Sequence, residues 1–358
     1  MLIRARVIFS TLLLAFAMPW VPVQAQDAPE LDVVPLSEQV VMVRLNGRQP
    51  TNLIGIATQE GIVVIDSGIS AVVAEAARER FQEVFHRDDF AYLINTHDHG
   101  DHTYGNQAFA DLTIVGHEGV PVQMEANDEQ RLQTLQQLRA SLGSLRERLE
   151  GLDPNSEQAL SLQGTIDYYD LLASGMGEDF QITPPTRTFR DQLTLDLGDH
   201  TLELYYYGKS HSDTDILVFI PEEGLLATGD LFAPGIDPYL NSERVPFLPQ
   251  WLENLDWILD EEGGVRTVLP GHGDAIPLEE LARVRDHVRS RMADLSGKES
   301  AFTDFRQVFE TNGTEAALLR MEEVRSRPDA FYFFHAEFDS FVYGLMLEDQ
   351  LAEAIALF

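Results

Sequence analysis

Four side chains able to bind a metal crowd into six residues of this chain. They are His97, His99, Asp101 and His102, within Thr96-His97-Asp98-His99-Gly100-Asp101-His102-Thr103-Tyr104-Gly105-Asn106, directly after the apolar run Ala91–Ile94. If Ala91–Asn95 is a buried strand, the chain leaves it still extended, and residues two apart then point the same way. His97 and His99 therefore face one spot, while Asp101 and His102, from the turn beyond, reach a neighbouring one. Neutral imidazole and carboxylate are ligand types that suit zinc and its neighbours in the transition series. The competing reading is a polar loop that is merely rich in histidine.

Around this stretch the signals alternate between strand and helix. Val40–Leu45, Asn52–Thr58 and Gly61–Ile65 are short apolar runs parted by turn residues at Asn46-Gly47 and Glu60-Gly61, and Asp66-Ser67-Gly68 closes the third. Ser70–Phe85 sets Val73, Ala76, Ala77, Phe81 and Val84 at helical spacing. Strand, helix, strand and loaded loop predict an αβ layout with its chemistry at strand ends. Thr113–Gly116 reads as one more strand.

From Val122 the character changes. Asp128–Glu150 carries leucines at 132, 135, 138, 142, 145 and 149, an apolar seam at helical spacing. Gly151-Leu152-Asp153-Pro154 breaks it, Asn155 or Ser156 caps a second helix to about Leu172, and Gly175-Met176-Gly177 ends that. The expectation is a helical hairpin, about 122–177, inserted between β units. Its seam is expected to pack on itself or on the body; a dimer seam and a lid over the site are the alternatives.

β signals return at Leu193–Leu197, Thr201–Tyr207 and Ile216–Ile220, with Gly208-Lys209-Ser210-His211-Ser212-Asp213-Thr214-Asp215 among them. Leu225–Gly229 then ends on Asp230. A helix over Leu248–Asp260 leads to Thr267–Pro270 and Gly271-His272-Gly273-Asp274. Three more times, then, a strand ends on a histidine or aspartate beside glycine or serine.

Together these residues resemble the metallo-β-lactamase superfamily. The resemblance rests on His97-x-His99-x-Asp101-His102, Ser210-His211, Thr228-Gly229-Asp230 and Pro270-Gly271-His272-Gly273, in the family's order, and spans about Val40 to Ile276. It implies an α+β fold, a four-layer αβ/βα sandwich with two β-sheets face to face and helices outside. It implies a dinuclear site at one edge: His97, His99 and His211 on the first metal, Asp101, His102 and His272 on the second, and Asp230 bridging. Two such cations, two Zn²⁺ by expectation with Fe or Mn as alternatives, can share a hydroxide whose pKa falls to near 7. Asp101 and Asp230 are the carboxylates expected to take part in catalysis, Asp101 by receiving a proton. Asp66, ending Val63-Val64-Ile65, matches an acidic position of the family and is expected to orient the ligand loop rather than bind metal.

Other polar residues are weighed against plainer roles. His117 is expected to be structural or to support a ligand, His86, His200 and His287 to lie on the surface, and His335 to be packed among aromatics. Asp274 reads as a helix-start or loop carboxylate. Lys209 and Tyr104 adjoin ligands and are equally scaffold or substrate contacts. Asp98 stands where relatives commonly place a large or aromatic residue, which predicts a more acidic pocket mouth. Lactam-cleaving branches of the family have cysteine or serine near the position of Asp230, so its aspartate resembles the glyoxalase II, lactonase and general hydrolase branches instead.

Residues 1–25 read as an export signal: Arg4 and Arg6, the apolar run Val7–Met18, and Val23-Gln24-Ala25 before the cut. A stably anchored N-terminus is the alternative. Export predicts a periplasmic or secreted protein. Removing the signal takes away two arginines and no acid, so the formal charge of -34 becomes -34 - 2 = -36. So acidic a surface repels phosphate backbones and argues against nucleic acid or anionic membrane as partner. With no cysteine there is neither a thiol nucleophile nor a thiolate ligand.

The expected organisation is a metallo-β-lactamase-like domain over 31–295 and a helical extension over 296–358. Leu278–Met292, Ala301–Phe309, Glu315–Arg325 and Phe338–Phe358 are the helices after Pro277. The last contains Tyr343-Gly344-Leu345-Met346 and resembles part of a tetratricopeptide unit, a plain extension being the alternative. The uncapped ending suggests a chain that stops short of its natural terminus. The function expected is an exported dinuclear metal hydrolase acting on an ester, thioester, lactone or amide of a small-molecule substrate, with β-lactams as poor substrates. Alternatives are an iron-dependent oxidoreductase or sulfur-handling relative, a β-lactamase, and a non-catalytic metal-containing binding protein whose helices recruit a partner or form a dimer.

Overall fold

The structure, a computed structural model, describes residues 29–45, 51–177, 179–232, 242, 244–260, 264–334, 337, 338 and 341. The export signal, the Asn46-Gly47 turn, His335 and most of the expected last helix lie outside the described residues.

The first sheet runs in sequence order: β1 (Leu31–Pro35), β2 (Val40–Leu45), β3 (Asn52–Thr58), β4 (Gly61–Ile65), β5 (Phe90–Ile94), β6 (Thr113–His117) and β7 (Arg187–Phe189). It is antiparallel as far as β4 and parallel from β4 to β7. The second sheet holds β8 (Gln192–Asp196), β9 (Thr201–Tyr205), β10 (Leu217–Ile220), β11 (Leu225–Gly229), β12 (Thr267–Pro270) and β13 (Ile276–Pro277). Residue alternation sorts each strand between two cores. Val40, Met42, Ile54, Ile56, Val63 and Ile65 meet Leu202, Leu204, Val218, Ile220 and Leu269 of the second sheet. Val41, Val43, Leu53, Ile62 and Val64 face the other way, onto helix α1 (Ala71–Phe85). Burial on both faces is why these strands read as unbroken apolar runs.

Ser70 caps α1 by accepting from the Val73 amide. A single turn, α2 (Gly100–Thr103), follows β5. The outer face of the second sheet is covered by α5 (Leu248–Asp260) and α6 (Leu278–Leu295), which bury Trp251, Leu255, Ile258, Leu281 and Val288 against Phe219, Leu226 and Val268. Helix, sheet, sheet, helix is the four-layer sandwich expected.

The hairpin is α3 (Val120–Glu150) and α4 (Glu157–Gly175), lying between β6 and β7. Helix α3 begins eight residues before the leucine seam suggested. Pro121 fits the first turn of a helix, and Val120 and Met124 are buried, so packing on the body starts the helix early. Leu135 and Leu142 on α3 and Ala159 and Ile166 on α4 are buried as the two helices pack together, while Leu132 stays exposed. Helix α4 also packs on α1, where Tyr168, Leu171 and Leu172 join the α1 core. Gly175 is required there, since a Cβ would lie 2.2 Å from the Ile69 carbonyl oxygen.

After α6, the short strands β14 (Glu299–Ser300) and β15 (Phe331–Tyr332) pair in parallel and enclose α7 (Ala301–Asn312) and α8 (Thr314–Arg325). Phe305, Ala317 and Met321 form their small core.

Candidate metal centre

The loops after β5, β9, β11 and β12 open at one edge of the sandwich, where backbone hydrogen bonds stitch the two sheets together. The Ile216 amide donates to the Thr96 carbonyl and the Asn52 amide to the Gly271 carbonyl, each at 2.8 Å, while within the second sheet the Gly271 amide donates to the Gly229 carbonyl at 2.7 Å. The Asn52 carboxamide also donates to the carbonyls of Pro270 and Gly273, each at 2.8 Å, which clamps the His272 turn from both sides. Gly271 is needed for this approach, because a Cβ there would lie 2.2 Å from Asp230 Oδ1.

These loops bring all seven sequence-predicted residues together. His97, His99, His211 and Asp230 form one group and Asp101, His102, Asp230 and His272 a second, each with one donor atom per residue lying within 4.8 Å of the others. Asp230 belongs to both. Its carboxylate lies 3.3 Å from His102 Nε2, 3.3 Å from His272 Nε2, 3.5 Å from His211 Nε2 and 4.0 Å from His97 Nε2. Asp101 lies 3.1 Å from His272 Nε2 and 3.5 Å from His102 Nε2.

Asp66 sets the tautomers. Its Oδ1 accepts from the Thr96 amide, and its Oδ2 accepts from the Thr96 hydroxyl and from His102 Nδ1–H, all at 2.8 Å. The single proton of the Thr96 hydroxyl is thus engaged, so His97 Nδ1, 3.0 Å from Thr96 Oγ1, donates to that oxygen. Both rings are left with Nε2 aimed into the cluster. His97 Nε2, His102 Nε2 and Asp230 Oδ1 are buried with no hydrogen-bond partner among the described residues. Buried donors and acceptors are rarely left so, and three of them converging within a set of nitrogen and oxygen donors fit a bound cation. Asp66 itself has φ of 60°, a left-handed conformation unusual for a non-glycine residue, and it is buried.

The model of the Metallo-beta-lactamase superfamily matches residues 46–272 of the chain. The chain belongs to this superfamily. It is 26% identical over 115 residues to a metallo-beta-lactamase type 2 of Bacteroides fragilis, a match covering 32% of this chain and 46% of that protein. With a metallo-beta-lactamase type 2 of Bacillus cereus it shares 23% identity over 128 residues, 36% of this chain and 48% of the relative. The chain thus spans about half the length of these curated relatives. Among solved structures it is similar to a metallo-beta-lactamase from Pontibacter korlensis, with TM-score 0.51, 17% identity, and coverage of 73% of this chain and 99% of that one. The DIM-1 metallo-beta-lactamase gives TM-score 0.52 at 13% identity, covering 74% and 100%. These likenesses establish the superfamily fold.

Within this superfamily site the imidazoles divide by their neighbours. Burial pushes His97 well below the usual histidine range and His211 down to about 3. Burial also acts against the cations of His102 and His272, but nearby carboxylates outweigh it. Asp230, Asp101 and Asp66 hold His102 well above its ordinary value, and hydrogen bonds to Asp101 and Asp230 raise His272 to about 9. Asp101, which burial alone would raise, is brought down to about 2 by His102 and His272.

Several other expectations are refined. Asp66 orients the ligand loop, as expected. Asp98 does not present its charge at a pocket mouth: it is 7% exposed and accepts from Thr214 Oγ1 at 2.7 Å and Asn127 Nδ2 at 3.1 Å. Lys209 pairs its ammonium with Asp213, and Tyr104 packs its ring on Gly100 and Phe180. His117 is structural, stacked on Tyr206 with ring centroids 3.9 Å apart. Asp274 is an exposed loop carboxylate paired with Arg44. His86 is exposed, but His200, expected on the surface, is 3% exposed between Asp199 and Glu223, each 3.3 Å away. One partner is its chain neighbour Asp199 and the other, Glu223, arrives from the next hairpin.

The sequence carried no signal for some residues now at the site. The Thr51 backbone pairs with that of His272. Tyr168, on α4, lies within electrostatic reach of Asp101 and Asp230; burial and these carboxylates push its phenol up, so it remains a neutral donor. Arg244 acts electrostatically on His211 and Asp215. None of these sits in a motif, since each reaches the centre through chain folding alone.

Proposed function

We propose that this chain is an exported, metal-dependent hydrolase that cleaves an ester, thioester, lactone or amide of a small-molecule substrate. The observation that carries this reading is the pair of donor groups sharing Asp230, with imidazole protons locked outward by Asp66. His97, His99 and His211 would hold one divalent ion and Asp101, His102 and His272 the other, with Asp230 common to both; zinc is the first choice and iron or manganese the alternatives. Such ions supply a water that is nucleophilic at neutral pH and a Lewis acid for the acyl oxygen.

The chain's own residues do the rest. The buried walls around His97 and His102 exclude water from one side of the centre. Asp101 keeps a partly exposed carboxylate beside His272 and can accept a proton from the attacking water. Tyr168, within electrostatic reach of Asp101 and Asp230, offers a neutral O–H suited to a substrate oxygen or a leaving group. Arg4, Arg6 and the apolar run that follows support export, and among the described residues no helix is long and apolar enough to cross a membrane.

The test is metal analysis of protein purified without added metal, then hydrolysis of an aryl ester, a lactone and a chromogenic cephalosporin. Two ions per chain and turnover of ester or lactone, both lost on chelation, are expected. One ion per chain in excess zinc, or no chelator-sensitive turnover of any substrate, would overturn the proposal. The relatives are named for β-lactams, which are amides of the proposed class; Asp230 in place of cysteine or serine predicts that the cephalosporin is the poorest of the three.

A further inference from the structure

Two of the seven donors, His211 and Asp230, lie on loops that neither Asp66 nor Asn52 touches. What holds them is α5. Trp251, fully buried, donates its indole N–H to the Leu231 carbonyl at 2.8 Å, one residue after Asp230. The same ring stands edge-on to His211, with centroids 6.5 Å apart. Three residues on, and so on the same helix face, Asn254 is buried with its carboxamide 2.6 Å from Ser210 Oγ, one residue before His211. With the amide turned so that the Ser210 hydroxyl donates to its oxygen, its nitrogen donates to the carbonyls of Tyr207 and Gln250 at 3.3 Å. Gln250 packs over Gly208, whose φ is 96° and where a Cβ would lie 3.0 Å from the Gln250 side chain. One helix face therefore grips the loop before His211 and the loop after Asp230.

We propose that Trp251 and Asn254 are positioning residues that set the spacing of His211 and Asp230, and with it the affinity of the His97–His99–His211–Asp230 group for its ion. This rests on the metal-centre reading above. The two groups should respond unequally. The first contains both residues that α5 holds, whereas the second contains only Asp230, its His102 being held by Asp66 and its His272 turn by Asn52. Partners behind metal ligands typically govern affinity by about 10–100-fold. Trp251→Phe keeps most of the ring but removes the donor to Leu231, and Asn254→Leu keeps the volume but removes the grip on Ser210.

The test is competition of Zn²⁺ between a chromophoric chelator and the metal-stripped full chain, alongside the visible spectrum of the Co²⁺-loaded protein. Wild type should bind two ions. Trp251→Phe and Asn254→Leu should each weaken one of the two by about ten-fold or more, leave the other within about three-fold, and change the Co²⁺ spectrum. Ser210→Ala, which deletes the partner hydroxyl, should reproduce Asn254→Leu, and the double variant should add little, as coupled residues do. Leu255→Ala, which removes apolar packing from the same helix but no hydrogen bond to either loop, should lower thermal stability and leave both affinities alone. Folded variants with both affinities at wild-type values, or an equal loss in Leu255→Ala, would overturn the inference while the metal-centre reading stands. A wild type that binds fewer than two ions would overturn both.

Discussion

Asp230 is the residue on which both donor groups depend, with carboxylate oxygens 3.3–4.0 Å from four imidazoles. Asp230→Asn keeps its shape but removes the charge that would balance the two dications of the proposed centre. Metal content should fall, and hydrolysis should fall far more than substrate binding, which atomic absorption and steady-state kinetics will show. Unchanged turnover in Asp230→Asn would end the bridging role. Asp66 acts one step back. Replacing it by alanine leaves Thr96 and the His102 ring without their acceptor inside a buried site, so metal affinity should drop by about 10–100-fold. Stability should drop by about 1–3 kcal/mol, read from chelator competition and denaturant unfolding respectively.

Helix α4 is the element that makes this member of the family unlike a bare sandwich, since it brings Tyr168 within electrostatic reach of Asp101 and Asp230. Tyr168→Phe should leave metal content unchanged and lower kcat/KM by about ten-fold, the loss of roughly 1.4 kcal/mol of hydrogen bonding in the transition state. Equal kinetics in the two proteins would reduce Tyr168 to packing. Docking of the helix depends on Gly175 against Ile69 and Ser70. Gly175→Val forces that contact apart and should cost about 1–3 kcal/mol, with hydrogen exchange across residues 157–175 accelerating before that of the sheets. If protection over α4 is unchanged, the close approach at Gly175 is not what seats the hairpin.

Across the whole molecule, the divided histidines predict how the metal-free protein responds to pH. His97 and His211 are lowered, His211 to about 3, so between there and the ordinary 6.5 the unfolded chain binds more protons and stability falls with acid. His102 and His272 are raised, His272 to about 9, so between 6.5 and 9 the folded chain binds more protons and stability falls with alkali. The metal-free protein should therefore be most stable near pH 6.5, each limb changing by about 1.4 kcal/mol per pH unit per proton. Added Zn²⁺ displaces those protons from His102 and His272, so it should flatten the alkaline limb and its affinity should rise with pH to about 9. Urea titrations with and without metal from pH 5 to 9.5 check this. A metal-free curve that rises steadily to pH 9 would contradict the assignment of charge.

Strand and helix order, the hairpin and all seven donors were legible in the chain itself. Apolar runs of five or six residues cut by turn residues specify strands, a leucine every three or four specifies a helix, and a histidine pair two apart on an extended segment specifies a shared target. Those signals are local, and local geometry produces them. What only the tertiary structure decided is non-local. Asp98 reads as an exposed acid until Thr214, 116 residues later, covers it. His200 reads as surface until Glu223 on the next hairpin buries it. Trp251, Asn254 and Tyr168 carry no motif, because a side chain that supports another across a packed interface needs only the right position. Position is a product of how sheets and helices close on one another. The sequence determined which groups could do chemistry; the packing of four layers determined which would be held, buried or turned toward them.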